Sequence, residues 1–177
     1  MHARAIAIGL LSALVSLALD RPARADDDSL VSPVARIMFG PAFHVGSSPL
    51  VQFMLDADAG VMVIAGRNHS LYFDVEGGYS FDHSELHAFN LMGGIGWGAD
   101  NFAYVVYQPR LLLGTLAGDF VVGMRNAVGG HLFSDMLDVE LGHQFVSDRG
   151  HLTQSITATV GINPAMVLFL VLSGDND

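Results

Sequence analysis

The chain has 177 residues, of which 51% are apolar, 15% are charged and none is cysteine, which excludes a disulfide scaffold, a thiolate metal centre, a lipoprotein anchor and a disordered tail. It carries a formal charge of −10 and no lysine, so nucleic-acid phosphates would repel it and DNA and RNA are set aside as partners. The longest apolar runs, 5–19 and 165–172, are both shorter than the roughly 18 to 20 residues of a spanning helix.

Residues 1–25 read as a cleaved signal peptide. Arg4 precedes the apolar run, the run breaks at Asp20-Arg21-Pro22, and Ala23-Arg24-Ala25 has the small-x-small form that signal peptidase cuts. Removing this segment leaves five arginines against 17 acids, a charge of −12. Residues 26–35 are expected as a periplasmic N-terminal segment, 36–172 as the folded domain and 173–177 as a polar tail.

From residue 36 onward the pattern has period two, the mark of strands whose successive side chains face opposite ways. The first segment, 36–45, sets Ile37, Phe39, Phe43 and Val45 against Arg36, Met38 and His44. In 51–61 the odd positions Val51, Phe53, Leu55, Ala57, Ala59 and Val61 are apolar, while Gln52, Asp56 and Asp58 lie between them. In 71–79, Leu71, Phe73, Val75 and Tyr79 alternate with Tyr72, Asp74, Glu76 and Gly78. Segment 87–98 is less regular and rich in glycine. In 102–114, Val105, Tyr107, Leu111 and Leu113 oppose Tyr104, Gln108 and Arg110, and Pro109 removes a ladder donor, so a bulge or local irregularity is expected there. Segment 120–130 is apolar on both faces apart from Arg125 and Asn126. In 137–145, Leu137, Val139, Leu141 and Phe145 interleave with Asp138, Glu140 and Gln144; in 152–162, Ile156, Ala158, Val160 and Ile162 oppose threonines and Ser155.

Seven short turn-rich connections join these eight segments, which suits antiparallel hairpins and excludes parallel crossovers of a dozen or more residues. An all-β, up-and-down antiparallel barrel of about eight strands follows. Its apolar face could point inward, as in a soluble periplasmic lipocalin-like carrier of a hydrophobic ligand, or outward into lipid. Strands of about 10 residues or more match the roughly 9 to 11 needed to cross a bilayer at a tilt, and the charged fraction is well below the usual 25% or so. Both favour lipid. The lipid-facing set is then Phe53, Leu55, Phe73, Val75, Val105, Leu111, Val139, Leu141, Ile156 and Val160. Aromatic girdles at the headgroup levels would include Phe39, Phe43, Phe53, Tyr79, Phe81, Trp97, Phe102, Phe120, Phe133 and Phe145.

On the leader, on alternations such as 71–79 and on glycine-rich strands such as 93–98, the chain resembles the small eight-stranded bacterial outer-membrane barrels of the OmpA and OmpX type. The resemblance implies an outer-membrane location, outer-membrane lipids or lipopolysaccharide and the barrel-insertion machinery as partners, and a monomer. Such barrels usually end on an aromatic residue, whereas here Phe169 is followed by aliphatic and polar residues. Residues 165–172 would extend the last strand or pack separately.

The inward face carries a charge network of Arg36, Asp56, Asp58, Asp74, Glu76, Arg110, Arg125, Asp138 and Glu140. Its acid-x-acid spacing sets both carboxylates of each pair on one face. Six acids against three arginines leave an excess that protonation or a cation such as calcium would have to balance. No catalytic set, cofactor or metal site is expected. The histidines, His131 among them, read as surface groups beside turns. His69-Ser70 and His83-Ser84-Glu85 are the only hints of a lipid A-modifying hydrolase, and adjacent residues on a strand face opposite ways. A filled polar lumen with a structural or interaction role is expected, with the loops near 46–49, 80–86, 115–119 and 147–151 facing outside and Asp82, His83, Glu85, Asp119, Asp148 and Arg149 exposed for contacts.

Overall fold

The computed structural model describes residues 29–45, 51–65, 70–82, 85–99, 103–133, 136–148 and 151–164. The signal-peptide reading of 1–25 and the two alternatives for 165–172 lie outside these residues. Eight strands follow one another: β1 (Ser29–Val45), β2 (Val51–Ala65), β3 (Leu71–Asp82), β4 (Leu86–Ala99), β5 (Ala103–Leu116), β6 (Asp119–Leu132), β7 (Leu137–Asp148) and β8 (His151–Ile162). Each pairs antiparallel with the next, and β8 closes on β1. The sheet is the up-and-down closed barrel that the alternation predicts, and closure leaves no long free edge.

The register fixes the barrel's shape. Stepping across the sheet from Ser29, the pairs run through Ala65, Leu71, Trp97, Val105, Gly130, Val139 and Val160 and return to β1 at Phe39, ten residues further along. With a strand rise of about 3.3 Å and a spacing of about 4.8 Å, that stagger over eight strands tilts them by roughly 40° from the axis. A 12-residue strand such as β3 at this tilt then spans about 30 Å of height, the thickness of a bilayer's hydrocarbon core.

β1 begins at Ser29, seven residues ahead of Arg36, so part of the segment expected to precede the barrel lies within its first strand. This stretch pairs with β2 as far as Ser29↔Ala65, whereas pairing with β8 starts only at Ile37↔Ile162. Pro33, which lacks an N–H, is tolerated because one side of the strand needs no donor there. Pro109 acts as anticipated but without a bulge. The β4–β5 pairing skips from Met92↔Arg110 to Ile95↔Tyr107 and resumes in unchanged register, while Pro109↔Asn126 stays paired on the other side.

The two-residue connection Ala117-Gly118 between β5 and β6 has φ of 51° and 91°, the two left-handed positions of a type I′ hairpin. Inside the wall, Gly60 stands where a Cβ would lie 1.9 Å from the Val75 carbonyl oxygen. Glycine at this site lets the two backbones approach.

Two apolar clusters occupy the interior. Val34, Met62, Ile64, Tyr72, Tyr104 and Val106, with Leu30 against them, sit at the end where β1 starts and β8 finishes. Leu86, Ala88, Leu112, Val121 and Val146, with Leu116, sit at the opposite end, near the β3–β4 and β5–β6 hairpins.

Candidate functional site

Strand alternation carries every charged residue of the inward set into the middle of the barrel, between the two apolar clusters. Arg36, Asp56, Asp58, Asp74, Glu76, Arg110, Arg125, Asp138 and Glu140 are all buried, and they sort into two groups.

The first is built on Arg36 of β1. One terminal nitrogen donates to Asp74 Oδ2 at 3.2 Å and to Glu76; the other donates to the Tyr72 hydroxyl, which in turn donates to Asp74 Oδ2 at 3.0 Å. Arg36 Nε lies 3.2 Å from Asp138 Oδ2. His131 Nδ1 sits between Arg36 Nη2 at 3.0 Å and Asp138 Oδ1 at 3.1 Å. Gln108 Nε2 donates to Asp74 Oδ2 at 2.9 Å.

The second group is shared by Arg110 of β5 and Arg125 of β6. Asp56 Oδ2 lies 3.0 Å from Arg110 Nη1 and accepts from Arg125 Nη1 at 2.5 Å, so one carboxylate bridges two guanidiniums. Arg110 also meets Asp58 at 3.0 Å and Glu140 at 3.8 Å. Gln144 Oε1 accepts from Nε and Nη2 of Arg125 at 3.0 and 2.8 Å, and Asn90 Nδ2 donates to Asp58 Oδ1 at 2.8 Å. Out of water, a charged side chain is tolerated only beside such close partners. Among the described residues, no group of three or more His, Asp or Glu is arranged to hold a metal ion.

Two placements differ from the sequence reading. His131 is fully buried within the ionic core instead of lying at the surface; it is the last inward position of β6, reached from Arg125 by even steps. Asp82, expected as an exposed contact group, is buried as well: its Oδ1 accepts the Leu86 N–H at 3.1 Å and ties off the β3–β4 turn. Glu85 is exposed and Asp119 half-exposed. His69, His83, Ser84 and Arg149, and the side chain of Asp148, lie outside what the structure describes. Tyr72, Asn90, Gln108, Gln144 and His131 complete the core and were not singled out as site residues, although each shares the inward parity of its strand.

The outer face is the chemical inverse. Phe53, Leu55, Phe73, Val75, Val105, Leu111, Val139, Leu141, Ile156 and Val160 are all exposed, Val75 by 63%. Phe43, Phe53, Phe81 and Phe120 stand exposed near the hairpin-end termini of their strands, and Tyr79 packs edge-on to Phe89 while its hydroxyl meets His87 Nδ1 at 2.9 Å. The other rim carries Trp97, 67% exposed, and Phe133, 50% exposed just past the end of β6. Phe39 and Tyr79 lie nearer mid-strand than a girdle would place them, Phe145 is half-buried, and Phe102 is outside the described residues.

No protein-family model and no curated protein sequence matches the chain. Among solved structures, it is similar to a barrel from work on the de novo design of transmembrane β-barrels, at 12% identity and a TM-score of 0.41 over 73% of this chain and 94% of that one. It is also similar to the crystal structure of neisserial surface protein A, NspA, at 13% identity and a TM-score of 0.40 over 75% of this chain and 97% of that one.

Proposed function

We propose that the protein is an integral outer-membrane β-barrel with a filled lumen, acting as a structural or interaction element of the cell envelope and not as an enzyme or an open pore. The carrying observation is the inversion just described: large apolar side chains cover the outside while three arginines and six carboxylates are buried inside. A lipocalin-like carrier would need the reverse arrangement, with an apolar cavity and a charged exterior. Export through residues 1–25 and insertion by the barrel-assembly machinery complete the reading, with lipopolysaccharide and phospholipid tails as the constant partners of the outer wall.

The two apolar clusters above and below the ionic core support a lumen without a continuous water path. Carbonate extraction of membranes from cells making the full chain tests the location: the protein stays with the membrane pellet, and release into the supernatant would refute integral insertion. In planar bilayers the refolded protein gives no sustained conductance; stable open channels would refute the filled lumen.

A further inference from the structure

We propose that the β5–β7 wall is the surface through which two copies of this chain pair within the membrane. This rests on the membrane reading above and departs from the monomer expected from the sequence.

Midway along β6 and β7, Asn126 and His143 are cross-strand partners, both half-buried and both on the outward parity, since Arg125, Ala127, Gly142 and Gln144 beside them are buried. Asn126 Oδ1 accepts from the Tyr107 hydroxyl of β5 at 2.8 Å. No described residue accepts a hydrogen bond from the Asn126 side-chain NH₂ group or bonds either ring nitrogen of His143, whose nearest ring contact is Phe145 at 4.3 Å. Acyl tails offer neither donor nor acceptor, so polar groups at this depth require protein partners.

The adjoining wall is also incomplete. Where the β4–β5 ladder skips Gly93-Gly94 opposite Gln108-Pro109, a groove of about 410 Å³ opens outward between Leu91 and Gly93 on one side and Pro109 and Leu111 on the other. Pro109 is the cross-strand neighbour of Asn126, so groove and polar patch form one continuous surface.

The chemistry of the patch selects a second copy as its occupant. An amide and an imidazole each carry a donor and an acceptor, so the Asn126 and His143 pair is complementary to itself across a two-fold axis lying in that wall. Interhelical amide and imidazole contacts serve the same purpose in helical membrane proteins.

The chain has no cysteine, which makes single-cysteine cross-linking clean. Val128→Cys, exposed on the outer face of β6 beside Asn126, and Ala57→Cys, exposed at the middle of β2 on the opposite wall, are refolded as full chains into phosphatidylcholine vesicles and oxidised with copper phenanthroline. A disulfide-linked dimer is expected from position 128 and none above background from position 57. In parallel, unmodified protein in detergent should sediment as a dimer and Asn126→Leu/His143→Leu as a monomer. Equal cross-linking at both positions, or unmodified protein that stays monomeric across concentration, would overturn the pairing. Carbonate extraction of the same vesicles separates the two levels: inserted but unpaired protein refutes only the pairing, whereas extractable protein refutes the membrane reading and the pairing with it.

Discussion

Arg36 shows how each interior side chain is committed to its place. It faces Asp74, Glu76, Asp138, His131 and Tyr72 at once, so truncation strands several buried carboxylates without a counter-charge. Arg36→Ala is expected to destabilise the folded barrel by about 3 to 5 kcal/mol, the usual cost of breaking a buried ion pair, measured by urea unfolding in vesicles. An unchanged midpoint would mean that the core is wetter than its burial implies. On the outer face the test is the introduction of charge. Val75→Arg, at mid-strand, should cost about 2 to 4 kcal/mol in the bilayer, and Val45→Arg, at the rim, about 0 to 1; equal costs at both positions would contradict the lipid-facing assignment. The inward residues were legible because strand parity is a local property, and Asp56, Asp58, Asp74 and Glu76 follow from it directly. Their partners were not legible. Arg125 reaches Asp56 from β6 to β2 across the lumen, a contact set by tilt and stagger that no local spacing encodes. Asp82 obeys the same parity but sits one step before a turn, where its charge suggested exposure and the Leu86 N–H claimed it instead.

At the scale of strands, the connections mark where each one ends, and the backbone decides how closely neighbours approach. Gly60 and Gly77 separate these effects, since a Cβ at Gly60 would strike the Val75 carbonyl oxygen at 1.9 Å whereas at Gly77 the nearest atom is Asn90 O at 3.7 Å. Gly60→Ala should therefore lower stability by about 1 to 3 kcal/mol, the range for overpacking, and Gly77→Ala should leave it nearly unchanged, both read from the unfolding midpoint. The number of strands and their order could be read from seven turn signals and the period-two runs. The extension of β1 back to Ser29 could not, because Ser32 and Pro33 weaken the alternation there and only pairing with β2 sustains it. In β4 the glycines at 93, 94, 96 and 98 dilute the parity signal, and the pattern is restored by the partners on either side.

For the whole molecule, closure turns eight amphipathic ribbons into an object with two incompatible surfaces, one ionic and enclosed, the other apolar and open to its surroundings. Water is a poor solvent for that exterior, and a bilayer supplies the complement along about 30 Å of height. The chain has a single tryptophan, and it stands on this outer wall, on β4 and 67% exposed, near the barrel end at which β1 starts. Fluorescence of Trp97 in vesicles doped with brominated phospholipid therefore reads the orientation of the wall without any substitution. Strong quenching by bromine on the acyl chains, with little quenching by aqueous iodide, is the predicted result; emission indifferent to the brominated lipid and readily quenched by iodide would contradict it.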